Sequence, residues 1–260
     1  MSRRWALVLG ASSGFGAATC RAMARAGFDV IGVHLDRRST QALAEAVKAD
    51  VESAGRKALF FNINAASDEG RAAVMDALRV NLDPADQVVV LLHSLAFGTL
   101  VPLAHPAEHR VSAKQLSMTL EVMGTSLLWW TRDLLEQGFL RQGSRIFAMT
   151  SAGSQVAIPN YGPVSAAKSV LESIIRQLAV ELAPLGVTAN AVLAGVTDTP
   201  AARRIPGWDR IVARARETNP HGRLTTPEDV AMALVDLAGP GTAWITGNTI
   251  RIDGGESIAG

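Results

Sequence analysis

A chain of 260 residues, 48% apolar and 19% charged, can bury one sizeable core, which excludes a disordered polymer. A net charge of +1 leaves no electrostatic footprint for nucleic acid, and a single cysteine, Cys20, excludes an internal disulfide. The histidines lack metal-ligand spacing, so no metal site is expected; no apolar run reaches the length of a membrane span, so a cytoplasmic protein without membrane contact is expected.

The first apolar run, Trp5–Leu9, reads as a strand and is followed by a glycine-rich turn and an alanine-rich helix over Ala17–Ala26. Cys20 falls inside that helix, where packing is its expected role. Further strands are expected at Val30–His34, Ala58–Asn62, Gln87–His93, Ser144–Thr150, Thr188–Leu193 and Trp244–Ile252. Helical periodicity fills Gln41–Ala54, Gly70–Val80, Leu116–Gln137, Val164–Leu182 and Pro227–Ala238. Strands apolar throughout, alternating with helices, imply a parallel sheet covered on both faces. The predicted fold is α/β, a Rossmann-like doubly wound seven-stranded sheet in a single domain over 1–260, with its ligand crevice at the carboxyl ends of the strands.

The turn after the first strand is Gly10-Ala11-Ser12-Ser13-Gly14-Phe15-Gly16. Gly10 permits the tight turn, Gly14 lets the backbone approach a pyrophosphate, and Gly16 lets helix and strand pack closely. The helix N-terminus then offers amides to the phosphates, so Gly10, Ser12, Ser13, Gly14, Phe15 and Gly16 are candidate cofactor contacts. The Gly-x-x-x-Gly-x-Gly spacing resembles the short-chain dehydrogenase/reductase family, and the likeness continues through Ala194-Gly195-Val196-Thr197-Asp198-Thr199 and Ile252-Asp253-Gly254-Gly255. That resemblance puts Gly195, Thr197 and Thr199 beside a nicotinamide, and Asn64, Ala65, Ser94, Leu95 and Ala96 along the cofactor. The ribose is read at the end of the second strand, here His34-Leu35-Asp36-Arg37-Arg38. Asp36 favours the free 2′-hydroxyl of NADH, while Arg37 and Arg38 offer a cradle for the 2′-phosphate of NADPH. NADPH is the preferred expectation, with NADH left open.

Most members of that family carry Tyr-x3-Lys, but position 164 is Val, and the only tyrosine is Tyr161, seven residues before Lys168. Pro163 suits the first turn of a helix, and a helical lysine leans back towards the N-terminus, so Lys168 can reach towards Tyr161 and a bound ribose. The Tyr-x6-Lys spacing, His93-Ser94-Leu95-Ala96-Phe97, the run from Leu178 to Val192 and Asn219–Arg223 resemble the NADPH-using enoyl-acyl-carrier-protein reductases. Two departures stand out. Ser151 occupies the place of a second tyrosine and also that of the serine of ketone reductases. Glu121 lies near the place of their tetrad asparagine.

The resemblance implies hydride transfer from a nicotinamide cofactor to the C=C bond of a trans-2-enoyl thioester on acyl carrier protein or CoA. Tyr161, Lys168 and Ser151 would be catalytic, with Phe97, Gln155 and Pro159 against the substrate. The alternatives are a carbonyl reductase or alcohol dehydrogenase acting on a ketone or 3-ketoacyl substrate, and a non-catalytic dinucleotide-binding sensor. Residues 200–222, with Arg203, Arg204, Arg210, Arg214 and Arg216, are expected to cover the acyl pocket and to attract an acidic carrier. Ala201–Gly207, bordered by Pro200 and Pro206, reads as a lid. Trp129 and Trp130 are expected in core or subunit packing, and the resemblance implies a homotetramer or homodimer.

Overall fold

The computed structural model describes residues 2–259. Strands β1 Arg4–Leu9, β2 Asp29–His34, β3 Ala58–Asn62, β4 Gln87–His93, β5 Arg145–Met149, β6 Thr188–Ala194 and β7 Thr249–Ile252 form one seven-stranded sheet in the order β3-β2-β1-β4-β5-β6-β7. Every pairing is parallel. The connecting helices are α1 Gly14–Arg25, α2 Gln41–Ser53, α3 Asp68–Asn81, α4 Ala113–Leu120, α5 Ser126–Glu136, α6 Gly162–Glu181, α7 Trp208–Thr218 and α8 Pro227–Leu237. The strand order reverses between β1 and β4, which opens a crevice at the carboxyl ends of those two strands.

Both faces of the sheet are core. In β1, Trp5, Leu7 and Leu9 join the cluster packed with Trp130, Leu171 and Ile175. Ala6 and Val8 join the opposite cluster with Met23, Cys20 and Val230. Alternate side chains of a strand point to opposite faces, so a strand covered twice has no polar position left, and Trp5 to Leu9 are fully buried. The alanines of α1 let it lie close to α8, where Ala18 and Ala22 meet Ala231. Cys20 is buried there, and burial pushes its thiol up to about 12, so it is a packing residue.

Two elements differ markedly from the sequence expectation, and one helix was not expected. The helix expected over 116–137 starts earlier, at a capping box in which Ser112 and Gln115 cap each other's backbone, and is broken by a π-helical segment, Glu121–Thr125. The last strand begins at Thr249, not Trp244: Pro240–Thr242 form a 3-10 turn, Gly247 takes a φ of +76°, and Trp244 is 98% exposed. The segment after β6 contains α7, a helix whose apolar side is thin, with only Ala215 buried. The tryptophan pair also splits. Trp130 is buried and donates from Nε1 to Ala65 O at 2.7 Å, whereas Trp129 is half-buried under the Arg132 guanidinium, 5.5 Å from its ring centre. No helix among the described residues is long and apolar enough to cross a membrane.

Replacing Trp130 with Ala leaves a cavity between α5 and the sheet and strips the Ala65 carbonyl of its donor. The unfolding free energy measured in urea is expected to fall by about 3–5 kcal/mol.

Candidate active site

At the carboxyl end of β1 the chain turns through Gly10, whose φ is +92°. A Cβ there would sit 2.5 Å from Ser94 O of the β4 end, so the turn lies directly on the neighbouring strand. Gly10 N and Ala11 N both donate to Val33 O of β2, at 2.8 and 3.0 Å. A Cβ on Gly16 would collide with the Gly10 carbonyl, so the start of α1 touches the end of β1 backbone to backbone. Gly14 differs from expectation. Its φ is +52°, and its nearest neighbour is the Thr199 methyl, 3.3 Å from where a Cβ would lie. Ser13, the N-cap of α1, makes no side-chain cap bond, while Ser67, Ser112 and Thr226 cap α3, α4 and α8. The first-turn amides of α1 thus lack a side-chain acceptor. Together with the glycine-lined approach, they fit the pyrophosphate of a dinucleotide.

The end of β2 is braced from several sides. Asp36 Oδ2 lies 2.9 Å from His34 Nδ1. Its backbone exchanges two bonds with Asn62, at 2.9 and 3.0 Å. Burial pushes the Asp36 carboxyl up, but hydrogen bonds from Thr40, Ser12 and His34 outweigh this and hold it below its ordinary value. Arg37 and Arg38 are exposed. Asn64 stabilises its own turn by accepting from Ala66 N at 3.0 Å, and Ala65 is buried against Trp130. Ser94 N donates to Leu9 O at 2.9 Å. Leu95 packs on the core, and Ala96 is exposed.

Tyr161 is the N-cap of α6 and is only 9% exposed. Its ring lies over Gly153, where a Cβ would come 2.5 Å from Cε1. Burial raises the phenol pKa, and a hydrogen bond with Ser151 partly offsets this; the net rise keeps the hydroxyl a proton donor at neutral pH. Ser151 also accepts from Gly153 N at 3.0 Å. Lys168, a turn and a half into α6, is 4% exposed, and its Nζ donates to Met149 O at 2.7 Å. Burial pulls Lys168 down to about 7, against the pull of Glu172. Glu172 is itself buried and accepts from Thr150 at 2.6 Å and Ser154 at 2.7 Å. It ties the Ser151 loop to α6. Ser165 Oγ donates to Gly153 O across the same gap.

An apolar wall surrounds Tyr161, made by Leu100, Leu120, Met123, Ile158, Val164 and Ile205. Apart from Val164, noted for its spacing from Lys168, these did not stand out in the sequence, because they come from five separate segments and have no common spacing. Phe97 (58% exposed), Gln155 and Pro159 lie on the exposed rim instead. Ile205 brings the 201–207 segment onto the wall. Glu121 is exposed. The segment after β6 is tied down by Glu256 of the C-terminal tail, whose two carboxylate oxygens accept from Val196 N at 3.1 and 3.2 Å. Thr197 and Thr199 are buried in that segment. Thr197 Oγ1 donates to Gly195 O at 2.9 Å, and Thr199 Oγ1 accepts from Ala202 N at 3.1 Å. Sequence gave no sign of Glu256, which lies beyond the Asp253-Gly254-Gly255 motif.

Residues 10–257 match the family model described as enoyl-(acyl carrier protein) reductase. The 1-cyclohexenylcarbonyl-CoA reductase of Streptomyces collinus is 29% identical, over 98% of this chain and 88% of its own. The 3-oxoacyl-acyl-carrier-protein reductase of Pseudomonas aeruginosa is 31% identical over 96% of both chains. The crystal structure of an NADH-dependent enoyl-acyl-carrier-protein reductase from Aquifex aeolicus superposes with a TM-score of 0.84 at 23% identity, covering 99% of this chain and 97% of that one.

The Gly16–Gly10 contact is backbone on backbone, so no rotamer change can relieve it. Gly16→Ala is expected to weaken dinucleotide binding at least about tenfold while the far-ultraviolet circular dichroism stays that of the parent. Fluorescence titration with NADPH checks this.

Proposed function

The chain belongs to the short-chain dehydrogenase/reductase family and is an NAD(P)H-dependent oxidoreductase; on that premise we propose that it reduces the C=C bond of an apolar trans-2-enoyl thioester. The observation that carries this reading is the position of Tyr161. It precedes α6 and stands seven residues from Lys168, while Val164 fills the helical position where a closer tyrosine would sit. The donor is therefore set about one turn farther out, inside an apolar wall.

When bound, the dihydronicotinamide supplies the hydride. Tyr161 donates its phenolic hydrogen bond to the thioester oxygen, where negative charge grows during reduction, so the bond strengthens in the transition state. Burial keeps that phenol protonated. Lys168 anchors the ribose side of the site and sets a positive charge behind the tyrosine. Ser151 supplies a second hydroxyl at the same oxygen. The wall of Leu100, Met123, Ile158, Val164 and Ile205 excludes water and makes each of these dipoles count for more. Residues 200–222 form the cover over this cavity. Their exposed Arg203, Arg204, Arg210, Arg214 and Arg216 supply the charge that draws an anionic carrier, acyl carrier protein or CoA. Arg203 is partly committed to Asp198 at 2.6 Å. The exposed apolar side chains of Trp244 and Ile258 support self-association as a homodimer or homotetramer.

NADPH is the proposed donor. The Asp36 carboxyl is held by His34 at 2.9 Å and is only 10% exposed, whereas Arg37 and Arg38 stand exposed for a 2′-phosphate. Replacing both arginines with Ala is expected to raise KM for NADPH about tenfold or more and leave that for NADH within about twofold.

A second reading, reduction of a 3-ketoacyl group, is favoured by one observation, that Ser151 Oγ and the Tyr161 ring lie against the same glycine, Gly153. NADPH oxidation with matched trans-2-enoyl and 3-ketoacyl thioesters separates the two. Preference for the enoyl compound is expected, with Tyr161→Phe lowering kcat about 10²–10³-fold. Turnover of the ketoacyl compound alone would replace this reading by the second. Silence with both, alongside intact NADPH binding, would leave only a dinucleotide-binding role.

A further inference from the structure

The chain leaves β6 at Ala194 and rejoins the body of the fold at α8, and the excursion between them carries α7 and the cover. Its first residues lie at the crevice, where the Thr199 methyl is 3.3 Å from the place of a Cβ on Gly14 in the phosphate turn. Gly195 N donates to Ile252 O of β7 at 3.2 Å. Past that bond the ladder ends, and the Val196 amide turns to Glu256, whose Oε1 and Oε2 accept from it at 3.2 and 3.1 Å.

The C-terminal tail reaches this position by its own folding. Gly254 and Gly255 take φ of +62° and +83°, which reverses the chain after β7. The buried Asp253 carboxylate accepts from Gly255 N at 3.0 Å and from Ser257 N at 3.1 Å. Asp253 O accepts from Glu256 N at 3.1 Å and from Asn219 Nδ2 at 3.0 Å, and Asn219 is the C-cap of α7. The short run Asp253–Glu256 therefore holds both ends of the excursion, Val196 where it departs and Asn219 where it comes back. A bridge between Thr197 and Thr225 closes the same junction. Gly195 fits beneath it, since a Cβ there would collide with Thr225 Oγ1 and lie 2.9 Å from Glu256 Oε2.

We propose that Glu256 is a positioning residue for the nicotinamide: by accepting from the Val196 amide it fixes Gly195–Thr199 at the mouth of the crevice. The proposal rests on the reading of that segment as the nicotinamide side of the site. Without the carboxylate the Val196 amide must find water, and the segment is released from the position in which Thr199 meets Gly14. The end of β2, where the adenine ribose is read, lies four strands from β6 in the sheet order. The adenine half of the cofactor is therefore an internal control.

Two substitutions and matched ligands test this. Glu256→Gln keeps an oxygen for the Val196 amide, and Glu256→Ala removes it. Calorimetry gives Kd for whichever of NADPH and NADH binds better and for its nicotinamide-free counterpart, 2′-phospho-ADP-ribose or ADP-ribose. No acyl substrate is needed, so the result stands apart from the thioester assays. Glu256→Ala is expected to raise Kd for the dinucleotide about fivefold or more and to leave that for the counterpart within about twofold. Glu256→Gln is expected to stay near the parent for both. Equal losses for the two ligands, an unchanged dinucleotide affinity in the Ala variant, or a Gln variant as weak as the Ala one would overturn the proposal. A parent that binds no dinucleotide would overturn the reading beneath it as well. Amide hydrogen exchange of the free protein reads the bond itself. Val196 is expected to be protected in the parent and in Glu256→Gln and to lose that protection in Glu256→Ala; an unprotected parent amide refutes the assignment.

Discussion

At the carboxyl ends of β1 and β4, Gly10 lies on the Ser94 carbonyl and Gly16 on that of Gly10, and the site is arranged around this stack of backbones. Each contact is closed to any side chain, so the glycines fix distances that side-chain packing could only approximate. The stack brings the start of α1 to the strand reversal, where its uncapped first turn faces the crevice. It also fixes the end of β4 and, one strand further, the end of β5, from which Lys168 and Ser151 are held. A parallel sheet buried on both faces makes this rigid, because a one-residue slip would send every side chain of a strand into the opposite core, whose packing it does not fit.

Desolvation then gives that frame its chemistry. Lys168, Glu172 and Tyr161 are each less than about one-tenth exposed, at a cost that a protein selected for stability alone would avoid. Glu172 is satisfied by two hydroxyls and so acts as a clamp between α6 and the Ser151 loop. Burial brings Lys168 down to about 7, so its charge responds near neutral pH to whatever polar group arrives beside it. Tyr161 is moved the other way and stays a donor. Burial thus separates two groups that would otherwise both be fixed in charge across the neutral range.

The chain announced its sheet clearly, because strands covered on two faces leave unbroken apolar runs such as Val88–Leu92, and glycine spacing marked the phosphate turn. What it concealed depends on tertiary contact. Trp244-Ile245 has strand composition, yet the turn at Pro240–Thr242 and the φ of Gly247 leave both outside the ladder. The π segment at Glu121–Thr125 lies close against α6, where a Cβ on Gly124 would come 3.1 Å from the Ala167 carbonyl. The wall around Tyr161 draws on five separate segments, and Glu256 reaches Val196 across 60 positions. Arg37 and Arg38 were visible as charges, whereas the commitment of Asp36 to His34 was not.

Enoyl and keto reduction ask the same thing of a hydroxyl donor but not of its location. In a ketone the carbon that receives hydride carries the oxygen itself. In an enoyl thioester two carbons separate the hydride acceptor from the oxygen on which charge accumulates. If the cofactor is held at one place by the glycine stack and Lys168, the donor for an enoyl substrate must stand farther from the hydride. Tyr161 at the N-cap of α6, with Val164 in the nearer position, is the residue to which the proposed reading gives that displacement. Under the proposed enoyl reading, the spacing of seven residues would set the distance between charge and hydride, with the apolar wall keeping the intervening carbons in line between them.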